Sequence, residues 1–240
     1  MIEGRNTAIP APLPDNKIER LAALHHFKIL DTEPEQSFDD LTFLASYICE
    51  APISLVSLVD EDRQWFKSCV GLDVTETSRE VSFCAYAILE PELLIIPDAL
   101  KDKRFATNAL VLSDPKIRFY AGMPFYTAGG LPLGTLCVID TEPRQLNEKQ
   151  EQALRVLARQ LGSQMEHRRN LMELEEALNT LKLLGGILPI CASCKKIRNE
   201  EEQWDSLEKY IMEHSEATFT HGVCPDCVQR LYPEYRENKT

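Results

Sequence analysis

Apolar residues recur at helical spacing twice before residue 50. Ile18, Leu21, Leu24 and Phe27 mark a helix over Asn16 to Leu30, with Asp15 or Asn16 placed to cap it and Asp31-Thr32-Glu33-Pro34 to stop it. Phe38, Leu41, Leu44, Ala45 and Ile48 give a second helix over 38–49, closed before Pro52. The period then changes. Ile53 to Val59 is an apolar, β-branched run, joined by the polar turn Asp60-Glu61-Asp62-Arg63 to Gln64 through Cys69, and the two read as a hairpin. Gly71 to Ser82 is polar and irregular. Phe83 to Leu89 and Asp102 to Leu110 carry short helical pieces, and Leu93 to Ile96 reads as a buried strand. Ile117 to Tyr126 and Leu133 to Ile139 are strands joined by Thr127-Ala128-Gly129-Gly130, where paired glycines supply positive φ. Five strands and these helices predict an α+β fold: one open, largely antiparallel sheet, with the first and last helices on one face and the irregular segments on the other.

Asn147 to Leu184 reads as one unbroken helix, free of proline and carrying Gly162 as its sole glycine before residue 185. At about 1.5 Å per residue it spans on the order of 55 Å, longer than a compact domain needs. Leu154, Leu157 and Leu161 follow the 3,4 spacing of a coiled-coil seam, and Leu171, Leu174, Leu178 and Leu181 resume it after a phase slip near Arg168 and Arg169. The expectation is a homodimer paired along this helix. The competing reading lays the helix along its own domain, and the polar run from Gln164 to Asn170 argues against burial there.

The chain divides accordingly into a lead-in at 1–14, a sheet domain at 15–146, the helix at 147–184 and a Cys-rich module at 185–240. The lead-in, rich in Pro and Ala, is expected to be disordered, and its Ile2-Glu3-Gly4-Arg5 spells a protease site familiar from expression vectors. With 240 residues and 44% hydrophobic content the chain can build its own core. A net charge of -12 disfavours nucleic acid as a partner. No apolar run reaches the roughly 18 residues of a membrane span and no signal pattern opens the chain, so a cytoplasmic location is expected. There is no phosphate-binding glycine loop, and His167 lacks the acidic follower usual at a phosphoacceptor histidine.

Eight cysteines fall into two populations. Cys49, Cys69, Cys84 and Cys137 lie scattered in apolar surroundings, as buried thiols do. Cys191-Ala192-Ser193-Cys194 and Cys224-Pro225-Asp226-Cys227 are two knuckles, each with a two-residue gap that lets both thiolates reach one ion while backbone N–H groups donate to sulfur. Four thiolates predict structural Zn²⁺, with Lys195, Lys196 and Arg198 offsetting the charge; an iron–sulfur cluster and a redox disulfide are the competing readings. Within the insert, Trp204 to His214 reads as a helix with Leu207, Tyr210 and Ile211 inward. His214 and His221 are expected beside the site or in solvent.

Leu30-Asp31-Thr32, Phe38-Asp39-Asp40-Leu41, Val56 to Asp60, Arg63 to Ser68, Ser82-Phe83-Cys84, Ile96 to Ala99, Arg118 to Gly122 and Gly134 to Thr141 together resemble the GAF domains of bacterial signalling proteins, over about residues 17–165. The C-terminal stretch, from Ile187 to Cys191 and through Trp204 to Cys227, resembles a module of bacterial sensor and response-regulator proteins. The GAF resemblance implies a sheet of five or six strands and a pocket roofed by loops, built for sensing rather than for a reaction. The pocket residues are then Arg79, Ser82, Cys84, Tyr86, Asp98, Arg118, Tyr120 and Cys137, with Arg79, Asp98 and Arg118 orienting a polar small molecule unless Asp98 and Arg118 simply pair with each other. The departures matter too: Cys84-Ala85-Tyr86 lacks the Cys-His of tetrapyrrole-binding relatives, and the spacing of resolving cysteines in GAF-type free methionine sulfoxide reductases is missing. The resulting expectation is a non-enzymatic small-molecule sensor, coupled through a dimeric helix to a zinc-stabilised head that docks a protein of a signalling pathway. A redox or metal sensor working through the clustered cysteines is the alternative, and a methionine sulfoxide reductase a more distant one.

Overall fold

The computed structural model describes residues 8–182, 188–199, 201–215 and 217–233. It divides into two compact units, Met1–Leu171 and Met172–Thr240.

The first unit is an antiparallel sheet of six strands, β1 (Ile53–Val59), β2 (Arg63–Val70), β3 (Glu76–Ser78), β4 (Leu94–Ile96), β5 (Phe119–Tyr126) and β6 (Pro132–Asp140), in the order β3-β2-β1-β6-β5-β4. The sixth strand is β3, which the polar stretch 71–82 conceals. It is an edge strand that needs no apolar face, and it pairs Arg63 with Ser78 and Trp65 with Glu76. The two central strands are buried on both faces, and the strand period of two sorts their side chains into separate cores. Val56, Leu58, Leu136 and Val138 face α1 (Lys17–His26), α2 (Gln36–Cys49) and α5 (Glu148–Lys182). Leu55, Tyr120, Cys137 and Ile139 face the opposite way, toward α3 (Phe83–Ala87) and Phe105. The layering expected from the sequence is therefore present.

Polar side chains fasten the loop between α1 and α2 to β2. Arg63 forks onto Asp31, donating at 2.9 and 2.6 Å, and the fully buried Lys67 ammonium reaches Thr32 Oγ1 at 2.8 Å and Glu35 at 2.8 Å. Two segments of the GAF-like signature, far apart in sequence, are one physical clamp. On α2 the buried stripe is Phe38, Thr42, Ala45 and Cys49. Leu44 and Ile48, expected inside, are exposed together with the stacked pair Phe43 and Tyr47, and on α1 Ile18 is exposed as well.

The long helix corrects the expected seam. Leu154, Leu157, Ala158, Leu161 and Met165 are buried in the core of their own sheet domain, so the first half of α5 is part of that body and offers no leucine to a second copy. A core stripe and a coiled-coil stripe share the same 3,4 spacing, which is why the pattern alone does not separate them. The polar run docks as well. Gln164 donates to Ser37 at 3.0 Å, Glu166 accepts the Ala128 N–H at 2.8 Å, and Arg168 binds Glu35 and the Phe27 carbonyl, each at 2.9 Å. Beyond it, Leu171, Leu174 and Leu178 are 52, 57 and 48% exposed. Leu184 and the Leu181 side chain lie outside the described residues.

The second unit holds the hairpin β7 (Ile197–Arg198) and β8 (Trp204–Asp205), then α6 (Leu207–His214), started by Ser206 capping the Lys209 N–H, and α7 (Pro225–Leu231). The expected helix thus begins at Leu207, with Trp204 on a strand and Leu207 exposed. Of the described residues from 188 onward, Ile197 alone is buried. Among the described residues, no helix is long and apolar enough to cross a membrane.

Candidate functional site

Ser82 ends the turn Arg79–Val81 and caps α3, accepting the Ala85 N–H at 2.9 Å while its hydroxyl donates to the side-chain Oε1 of Gln64 on β2. This anchor aims Cys84 into the sheet. There its sulfur lies 3.9 Å from that of Cys137 on β6 and accepts from the Tyr120 hydroxyl at 3.4 Å. Tyr120 reaches it by lying across Gly122, where a Cβ would fall 2.1 Å from the phenol oxygen and displace the ring. Ser57 and Thr135, directly paired across β1 and β6, complete the island. Their hydroxyls are buried without an aligned hydrogen-bond partner, close enough to Cys84 to bias its charge.

Burial pushes the Cys84 thiol up, but contact with Cys137, the Tyr120 hydroxyl and the nearby hydroxyl dipoles of Thr135 and Ser57 outweigh it and draw the thiol below its ordinary value. Cys137 is pushed well above its own by Cys84 and by burial, and Tyr120 is raised by burial and stays protonated. Phe83 stacks on Phe105 at 4.0 Å and tilts against Tyr120 at 5.2 Å, so aromatic rings fill the space around this polar island. Ser82, Cys84, Tyr120 and Cys137 thus meet in one buried cluster rather than along an open wall.

Arg79 and Tyr86 face the segment before α1. Arg79 donates to the carbonyls of Ala11 and Pro12 at 3.2 and 3.1 Å, Tyr86 donates to that of Ile9 at 2.9 Å, and Ala11 is 4% exposed. Residues 8–14 are therefore a strap over α3, not a disordered lead-in; the earlier part of the lead-in lies outside the described residues. Arg79→Ala removes two of these three anchors, so trypsin-free limited proteolysis should cut near residue 12 several-fold faster, while global stability falls by only about 1 kcal/mol. Asp98 and Arg118 pair with each other, at 3.0 and 3.1 Å, and Asp98 also caps the Leu100 N–H. Burial opposes the Asp98 charge, but Arg118 and Lys101 hold its carboxyl below the usual range.

A groove of about 600 Å³ opens between the β5–β6 turn and α5, lined among others by Phe125, Tyr126, Arg159, Glu166, His167 and Asn170. Sequence reasoning missed it, because its walls meet only once α5 is laid on the sheet.

The two cysteine knuckles are each formed locally. Backbone N–H groups point at Cys191, Cys194 first, and at Cys224, Cys227 first, holding both thiols below their ordinary value. Cys224 is the N-cap of α7, and Lys195 takes positive φ to close the first turn. Among the described residues no three His, Cys, Asp or Glu side chains are gathered to hold one ion, so the pairs stand apart. The residues fit a metal as two halves, and among the described residues from 188 onward Ile197 alone is buried, so little apolar interior draws them together.

The order of strands, the helix pair on one face and the loop-covered α3 on the other agree with the family description "GAF domain", which matches residues 33–165. The chain belongs to the GAF domain family. A cyclic di-GMP phosphodiesterase of Pseudomonas aeruginosa is 44% identical to it over 133 residues, 55% of this chain and 23% of that protein. The chain thus spans under a quarter of that relative. Among solved structures, the GAF domain of an Acinetobacter phosphoenolpyruvate-protein phosphotransferase is 19% identical, covering 65% of this chain and 98% of its own, with a TM-score of 0.48. A free methionine-R-sulfoxide reductase of Neisseria meningitidis is 16% identical, covering 68 and 98%, also with a TM-score of 0.48. The expectation that no enzymatic role attaches to this GAF chain is overturned by the Pseudomonas relative, which carries the name of an enzyme. A GAF domain's own residues do not record the chemistry it is joined to.

Proposed function

We propose that this chain is a bacterial signalling unit whose GAF domain senses a small molecule and bears on cyclic di-GMP turnover. The observation that carries this reading is the 44% identity over 133 residues to a protein named for that reaction. The signal leaves through α5. Its first half is core, so any repacking around the sheet displaces it, and its exposed Leu171, Leu174 and Leu178 form a seam with a second copy. A ligand that favours one arrangement of the paired helices shifts the population toward it. Downstream, Cys191, Cys194, Cys224 and Cys227 hold structural Zn²⁺, which supplies folding energy to a unit whose described residues from 188 onward bury one side chain, and the head so formed docks a protein partner.

Two measurements test these parts separately. Expression of the chain in a bacterium that uses cyclic di-GMP should change the extracted nucleotide level at least twofold relative to a Leu174→Glu variant; equal levels contradict the assigned pathway. Native mass spectrometry of protein purified without added metal should show zinc in the wild type and its loss in Cys194→Ser. Metal-free protein with four free C-terminal thiols contradicts the head.

A further inference from the structure

We propose that Cys84 and Cys137 are a redox-active dithiol that reduces hydrogen peroxide and closes to an intramolecular disulfide. The geometry is specific. The two sulfurs touch at 3.9 Å across the interface of α3 and β6, and a shift of about 2 Å brings them to the roughly 2.05 Å of a disulfide. An apolar core has no packing reason to hold three hydroxyls around one thiol, two of them without an aligned partner. Around a thiolate the same hydroxyls are donors, and during attack on a peroxide they can stabilise the departing oxygen. The Tyr120 hydroxyl donates to Cys84, which makes Cys84 the attacking sulfur and Cys137, in contact with it, the resolving one.

The steps balance. Cys84 thiolate attacks one peroxide oxygen, the O–O bond breaks, and Cys84 sulfenic acid forms as hydroxide leaves and takes up a proton. Cys137 then attacks the Cys84 sulfur, the S–O bond breaks and water departs as the S–S bond forms. In sum two thiols are oxidised, and hydrogen peroxide is reduced to two waters. The oxidant class follows from access: Cys84 and Cys137 are 2 and 0% exposed behind Phe83, Phe105 and Tyr120, so only an oxidant the size of hydrogen peroxide, entering as the core opens, can reach them. Residues 141–147 connect β6 directly to α5, so the new bond acts one loop away from the long helix.

The full chain is treated with hydrogen peroxide under native conditions, alkylated and mapped by mass spectrometry. A Cys84–Cys137 disulfide should form in the wild type and equally in a variant with serine at 191, 194, 224 and 227. Cys137→Ala should leave Cys84 as a sulfenic acid trapped by dimedone. Tyr120→Phe, which keeps the ring and removes the donor, should move the midpoint of the rate–pH profile upward. Recovery of Cys84 and Cys137 as free thiols after the C-terminal cysteines have oxidised overturns the proposal, and this wild-type result stands even if a variant fails to fold.

Discussion

Gly134→Ala should leave the chain without a cooperative folded state. Gly134 sits in β6 opposite Leu58 of β1, at the centre of the sheet. A Cβ there falls 1.9 Å from the Ser57 carbonyl oxygen and 2.9 Å from Leu58 Cα. These are backbone atoms held by hydrogen bonds on both sides, so no rotamer change can make room, and relief requires the β1–β6 ladder to part. That loss exceeds the 4–5 kcal/mol typical of the most damaging single substitutions, against a total stability of about 5–15 kcal/mol. Circular dichroism during urea titration checks it. The variant should show no cooperative transition, whereas a midpoint close to that of the wild type would mean the two strands approach less closely than described.

Leu161→Ala should lower stability by about 2–5 kcal/mol, independently of protein concentration. Leu161 is fully buried on α5 among Phe125, Leu154, Ala158 and Met165, and truncation leaves a cavity that two packed layers cannot collapse into. Leu174→Ala, thirteen residues along the same leucine pattern, should change the unfolding free energy of the GAF body by no more than about 0.5 kcal/mol, because its side chain is exposed. Equal effects at the two positions would put both leucines in one seam and return Leu161 to the dimer interface.

Much of this fold is legible in the residues. The alternation through Val56-Ser57-Leu58 and Leu136-Cys137-Val138 places each side chain on a face, and the paired glycines at 129 and 130 mark the turn before β6. Other parts are not, for identifiable reasons. β3 is polar because an edge strand has no core to fill, and the strap at 8–14 is held by its carbonyl groups, which every sequence carries. The early leucines of α5 satisfy two architectures at once. The family resemblance puts Cys84 and Cys137 in one pocket, but their contact is set by the strand register and the cap at Ser82. The ion pair of Asp98 with Arg118 was one of two readings open from charge alone, and geometry selects it.

The division of α5 into a buried anchor and an exposed seam is tested most directly by sedimentation of the full chain over a range of concentrations, beside a variant with serine at 171, 174 and 178. The wild type should sediment as a dimer and the variant as a monomer, with both GAF bodies unfolding at the same urea concentration. A wild type that remains monomeric at every concentration contradicts it.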